Sequence, residues 1–167
     1  MLASIADPTT PAERSALMAL DRSRIGVAYD PYAYEVTRVK IREYAAALDE
    51  VDARYFSDGD DCVAPPTFAA TFTIMQPTSV LLADDGLGMH MNLVHGNQAY
   101  EFGERPLRPG DVVTCTPTIT DIRSRGGNEM LTLEVDCRFE DATLAVASTT
   151  LLVLFGSAGT DQSEETA

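Results

Sequence analysis

Cys62-Val-Ala-Pro-Pro-Thr-Phe-Ala-Ala-Thr-Phe-Thr-Ile-Met-Gln-Pro-Thr-Ser-Val-Leu-Leu-Ala83 carries no charged residue, with Asp61 before it and Asp84 after it. So apolar a run resembles a membrane span, but Pro65, Pro66 and Pro77, Gln76, Ser79 and four threonines make it too polar and too interrupted to sit in lipid. A helix buried in protein is the better reading, opened by Pro65-Pro66. Phe68, Phe72, Met75 and Leu82 fall on one side of it and Ile74 and Leu81 on another, so burial on most sides is expected. Pro77 removes an N–H and crowds the preceding turn, which predicts a kink there or an end to the first part.

Before this run, Tyr32-Ala-Tyr-Glu-Val36 reads as a strand, and Ile41, Tyr44, Ala45 and Leu48 mark one face of an amphipathic helix over 38–49. Thr10-Pro11-Ala12-Glu13 has the form of a capping box, predicting a short helix over 11–22 within an N-terminal arm, residues 1–24. After Gly86 the pattern becomes that of strands. Met89 to Phe102 alternates, with a bulge at Gly96 where the inward set changes parity. Pro109-Gly110-Asp111 is a turn, and Val112 to Arg123 a long strand in which Pro117 calls for an edge or bulge position. Gly126-Gly127-Asn128 closes a hairpin into Leu131, Leu133, Val135, Cys137 and Phe139, which alternate with polar residues. Leu144 to Phe155 reads as a central strand covered on both faces, and 157–167 as a disordered acidic tail. The whole is one α+β domain over 25–156, with an antiparallel sheet wrapped round a long central helix, which is the hot-dog architecture.

Composition narrows the functions. Twelve Lys and Arg against 26 Asp and Glu give a net charge of −14, which repels phosphate backbones and anionic headgroups, so neither nucleic acid nor membrane is an expected partner. Cys62, Cys115 and Cys137 stand in no metal-ligand spacing and read as buried thiols of a cytoplasmic protein. Two histidines without acidic or thiol companions at ligand spacing predict no metal.

Four stretches together resemble the MaoC-like dehydratase N-terminal family: Tyr34-Glu-Val-Thr-Arg-Val-Lys-Ile-Arg-Glu-Tyr-Ala-Ala-Ala-Leu48, Ala64-Pro-Pro-Thr-Phe68, His95-Gly-Asn-Gln98 with Tyr100-Glu-Phe102, and Arg105-Pro-Leu-Arg-Pro-Gly-Asp111. The similarity covers roughly 22–155. That family includes the non-catalytic A- and C-type subunits of (3R)-hydroxyacyl-ACP dehydratase. The resemblance implies two hot-dog units paired edge to edge, an acyl chain carried as a CoA or ACP thioester between them, and reversible addition of water to a trans-2-enoyl thioester. No cofactor is implied.

Catalytic members carry an Asp-x-Asn-Pro-x-His segment and a backbone N–H at the central helix start that polarises the thioester carbonyl. Here Glu50 falls at the aspartate, Tyr55 at the histidine, and Pro66, with no N–H, at the oxyanion donor. Tyrosine, with an ordinary pKa of about 10, is a poor general base at neutral pH. The resemblance therefore implies a substrate-holding subunit whose catalytic hot-dog partner does the chemistry. A homodimeric hydratase using His95 with Asp49 or Glu50 is the alternative, followed by a non-enzymatic acyl-thioester binding module. A hot-dog thioesterase ranks low, because the central helix has no carboxylate. Thr67, Phe68, Thr71, Phe72 and Tyr55 would line the acyl site, and Arg105 and Arg108 could meet a carrier phosphate. Each has a plainer reading: core packing for the aromatics and threonines, surface charge for the arginines, a solvated loop for Asp49, Glu50 and Asp52, and a structural hydrogen bond near Gly96 for His95.

Overall fold

The computed structural model describes residues 19–156, and the predicted arm helix up to residue 18 and the predicted tail from 157 lie outside them. Residues 19–21 are not helical, and Arg22–Arg24 form a single 3-10 turn capped by the Asp21 carboxylate. Strand β1 is Tyr32–Glu35, and helix α1, Arg38–Ala47, follows with Thr37 as its cap. Ile41 and Ala45 are buried as expected, whereas Leu48, expected on the same face, caps the helix and is 50% exposed. A short helix α2, Ala53–Phe56, precedes the uncharged run.

That run is a helix in three pieces: a 3-10 turn over Pro66–Ala69, α3 over Ala70–Thr73 and α4 over Met75–Leu82. The break falls at Ile74 (φ −107°, ψ −70°), three residues before the proline expected to cause it. The physical reason is the same: Pro77 can donate nothing to the Thr73 carbonyl and its ring crowds that carbonyl, so the path breaks there and Pro77 settles in the first turn of α4. Next to the break, the Phe72 carbonyl accepts from Tyr32 Oη at 2.6 Å. Burial on most sides is corrected. Phe68, Ala69, Phe72, Thr73, Pro77 and Leu81 are buried, but Met75 is 69% exposed and Gln76 and Ser79 face solvent.

Four long strands follow: β2 Leu93–Phe102, β3 Val112–Arg125, β4 Asn128–Phe139 and β5 Leu144–Phe155. They build one antiparallel sheet in the order β1-β3-β4-β5-β2. The expected two-residue hairpin is present, with both Gly126 (φ 59°) and Gly127 (φ 78°) in the left-handed region that such a turn demands. Pro117 lies opposite Val135 inside β3, where β1 has already ended. Its carbonyl accepts from Tyr29 N–H, so its nitrogen also points to that side and no β4 ladder bond is lost. The β2 strand begins at Leu93 rather than Met89, and its register slips between His95 and Asn97, the bulge expected at Gly96. β5 lies between β4 and β2 but alternates in exposure rather than being covered on both faces.

The core lies between the inner face of this sheet and the broken helix, and includes Ile41, Phe68, Phe72, Leu81, Ile119, Leu131, Leu133, Val135 and Leu154. Phe68 packs edge-on to Tyr34, Tyr44 and Phe72, and Tyr34 lies 4.7 Å from Phe72. This is the hot-dog arrangement expected from the sequence.

Candidate functional site

Three neighbouring regions hold the residues singled out above. The first runs from the end of α1 to α2. Glu50 N–H donates to the Ala45 carbonyl, and Asp49 turns the chain out of the helix in a left-handed conformation, φ 53°. Asp52 caps α2 through Arg54 N–H and meets the Arg54 guanidinium at 2.6 Å, contacts that hold its carboxyl below the usual range, with the guanidinium hydrogen bond first among causes. Asp52 is thus spent on its own helix. Tyr55 is half-buried and packs against the core. No hydrogen bond or ion pair joins Asp49 or Glu50 to His95, whose Nε2 lies 3.0 Å from the Asn97 carbonyl across the bulge.

The second region is the start of the central helix. Pro65 and Pro66 bring no N–H to it, and no side chain caps it. Thr67 is exposed and its carbonyl accepts from Tyr44 Oη at 2.8 Å. Thr71 donates to the Phe68 carbonyl and lies 3.2 Å from Tyr34 Oη, while Phe68 and Phe72 are wholly enclosed in the aromatic cluster. Beside Pro65-Pro66 opens a cleft of about 240 Å³, walled by Phe102, Arg105, Leu107 and Ala145. A wider one of about 700 Å³ shares Phe102–Arg105 and reaches Thr143 and Leu144. Gly103 lets the chain turn there, because a Cβ at that position would come within 1.8 Å of the Leu144 carbonyl. Arg105, which lines both clefts, and Arg108, three residues on, are both engaged. Arg105 forms a two-point pair with Asp111 (2.9 and 3.0 Å) and lies 3.4 Å from the centre of the Phe139 ring. Arg108 donates to the Asp60 carbonyl.

The third region is the inner face of β2. Because directly opposed residues share a face, the pairs His95–Leu152, Gln98–Thr150, Tyr100–Ser148 and Phe102–Val146 put all four β2 residues toward the helix. Gln98 donates to Ser148 Oγ at 2.6 Å and accepts from Thr150 Oγ1 at 2.8 Å. Sequence reasoning quoted Gln98 and Tyr100 only as part of a motif. The signal that could have found them was its own parity change at Gly96, which turns the even positions inward. Glu129 was missed too: it shares parity with Leu131 and Leu133, is fully buried, and accepts from Leu20 N–H at 2.5 Å.

Among the described residues no three His, Cys, Asp or Glu side chains converge as metal ligands, and no helix is long and apolar enough to cross a membrane. Chemically, the arrangement offers a walled apolar cleft, an edge strand with a polar inner face, and neither a paired acid and base nor a proline-free helix start.

Residues 23–143 match the family described as FAS1-like, dehydratase domain region. A UPF0336 protein of Thermobifida fusca is 43% identical over 150 residues, spanning 84% of this chain and 97% of its own length. Among solved structures, the C-terminally truncated HadBC (3R-hydroxyacyl-ACP dehydratase) complex of Mycobacterium tuberculosis superposes with a TM-score of 0.67 at 22% identity, over 78% of this chain and 96% of that one. The ChsH1-ChsH2 complex of the same organism gives 0.61 at 18% identity, over 90% and 91%. At these identities the likeness is one of fold.

Proposed function

The chain belongs to the family of the FAS1-like dehydratase domain region, and from that premise we propose that it is the substrate-holding, non-catalytic subunit of a heteromeric (3R)-hydroxyacyl-thioester dehydratase or enoyl-thioester hydratase. One observation carries the reading: where a catalytic hot-dog chain places its base and its oxyanion donor, this one has a half-buried tyrosine, Tyr55, and a proline without an N–H, Pro66, in an otherwise intact frame.

The reaction removes a proton from Cα and hydroxide from Cβ of the thioester, leaving the enoyl product and water, or runs in reverse. It needs a base, an acid and a donor to the carbonyl oxygen, and no cofactor. In this proposal the partner supplies these groups, and this chain supplies the wall along which the acyl group lies: the inner face of β2, the helix face around Thr71 and the cleft at Phe102. The partner pairs along the free edge of β2. Ten residues of strand there have a neighbour on one side only, with Val94 exposed within the strand and Met91 exposed just before it. The substrate is a CoA or ACP thioester, reaching the site past Arg105 and Arg108.

The test is reconstitution with a hot-dog chain that bears the Asp/His pair. Hydration of an enoyl thioester by the mixture and by neither chain alone is the expected result. Turnover by this chain alone, abolished in His95→Ala, would replace the proposal with a homodimeric hydratase.

A further inference from the structure

Among the described residues four polar side chains are buried: Thr73, Glu129, Ser148 and Thr150. Three of the four gather round two residues on the inner face of β2, Gln98 and Tyr100. Gln98 settles Ser148 and Thr150 by bonding to both. Tyr100 is left over. Its Oη is buried and no group stands in hydrogen-bonding geometry to it; the nearby Thr73 hydroxyl donates to the Ala69 carbonyl.

This arrangement is costly in the empty chain. A buried hydroxyl without a partner destabilises, and phenylalanine would fill the same space against Phe102, 5.9 Å away, without that penalty. The surroundings keep the phenol protonated, since burial pushes its pKa up, so it stands ready as a donor at any neutral pH. It also lies where the substrate-holding reading runs the acyl chain, between β2 and the helix, at the break between α3 and α4. A hydrocarbon laid against an orphan donor gains little there, whereas an acceptor oxygen relieves it.

Resting on that reading, we propose that Tyr100 Oη donates a hydrogen bond to an oxygen atom carried on the acyl chain, so that this subunit selects oxygenated acyl groups over plain hydrocarbon ones. A site built to bond a substrate oxygen rejects the analogue lacking it far more strongly than an apolar pocket rejects an extra methylene.

The full-length chain, isolated with whatever partner accompanies it, is titrated with decanoyl-pantetheine and with its isomers monohydroxylated from C4 outward, so that the reaction's own C3 hydroxyl is not among the probes. At least one isomer is expected to bind on the order of tenfold or more tightly than decanoyl-pantetheine. Tyr100→Phe removes that preference while binding the plain probe as well or better. Thr73→Val, which leaves the Tyr100 donor in place, keeps the preference. A wild type that binds all probes alike, as when ordered water satisfies Oη, or a preference that survives in Tyr100→Phe, overturns the assignment of Tyr100 and leaves the substrate-holding reading standing. No binding of any probe overturns both.

Discussion

Strands β4 and β2 belong to one sheet and obey opposite rules. In β4, burial alternates residue by residue and the inward set Leu131, Leu133, Val135, Cys137 and Phe139 is apolar, with Glu129 at the start of the strand the one charged member. In β2, a bulge interrupts the alternation, most residues are exposed, and the inward set is Leu93, His95, Gln98, Tyr100 and Phe102. The difference is one of neighbours: β4 has a strand on each side, while β2 has β5 on one side and a free edge on the other. A strand enclosed on both sides is held by packing, so its inward positions are mostly apolar and each polar one, Glu129 in β4 and Ser148 and Thr150 in β5, is closed by a hydrogen bond from within the chain. A strand at the edge is held by one ladder, and its inner face is free to carry polar groups that something else completes.

The largest effects fall on the enclosed half. Phe72 is fully buried, 4.7 Å from Tyr34, and Phe72→Ala should lower stability by about 3–5 kcal/mol in urea unfolding, from lost transfer energy plus the cavity left behind. Phe102, on the edge strand and 50% exposed, should cost about 1 kcal/mol or less when changed to alanine. Equal losses at the two sites would break the contrast.

The edge should answer in association rather than in stability. Val94 and Met91 are 46% and 73% exposed, so Val94→Glu with Met91→Glu should leave the urea midpoint nearly unchanged. If the free edge is the pairing surface, buried carboxylates without partners weaken the complex by tenfold or more, about 1.4 kcal/mol at least, as read by sedimentation. A complex unaffected by both changes would place the pairing surface elsewhere.

This contrast also explains what was legible in the sequence. The alternation in β4, the Gly126-Gly127 turn and the uncharged helix were readable because local pattern and final packing agree there. The break at Ile74 was misplaced by three residues because a proline acts on the carbonyl four residues before it, not on itself. Leu48 was misread because the helix ends at Ala47, one residue before it, and periodicity does not mark an end. The roles of Gln98 and Tyr100 were hidden for a different reason. Ser148 and Thr150, which bond Gln98, and Thr73, which lies near Tyr100, come from β5 and the helix, and no spacing within β2 announces them. The site residues fared as their plainer readings allow: Phe68 and Phe72 pack the core, and Arg105 and Arg108 are engaged by neighbouring residues of the chain.

Arg105 sharpens the contrast at the boundary between the two halves, since it stands by the cleft while its guanidinium covers Phe139 at the end of β4. Its side chain is 44% exposed, so solvent screens the Asp111 pair, and Arg105→Ala should cost only about 1 kcal/mol. Arg105→Lys should recover little of it, because an ammonium cannot make the two-point contact. If instead the arginine meets a carrier phosphate, both changes should raise KM for a CoA or ACP thioester in the reconstituted enzyme well beyond what the stability loss explains.

The smallest effect is the response to acid, and its sign follows from the carboxylates. Four are held below their ordinary range: Asp21 by Ser23 N–H, Asp52 and Asp58 by the guanidinium groups of Arg54 and Arg42, and Asp141 by the Thr143 hydroxyl. A carboxyl that ionises more readily folded than unfolded adds stability above its unfolded pKa, about 3.9, and loses it as pH falls through the lowered folded value. Tm should therefore be flat from about pH 7 to about pH 5 and decline below about pH 4, gently, because all four carboxylates lie at the surface and are screened by solvent. The decline should also be uneven. Asp52 and Asp58 both brace the segment between α1 and the central helix, which has no strand ladder of its own, whereas Asp141 braces a turn already held by β4 and β5. Hydrogen exchange at about pH 3.5 should accordingly quicken first at residues 52–61, beside the cleft, while β4 keeps its protection. Uniform loosening would mean that this segment draws its order from the core, through Tyr55 and Cys62, rather than from its ion pairs.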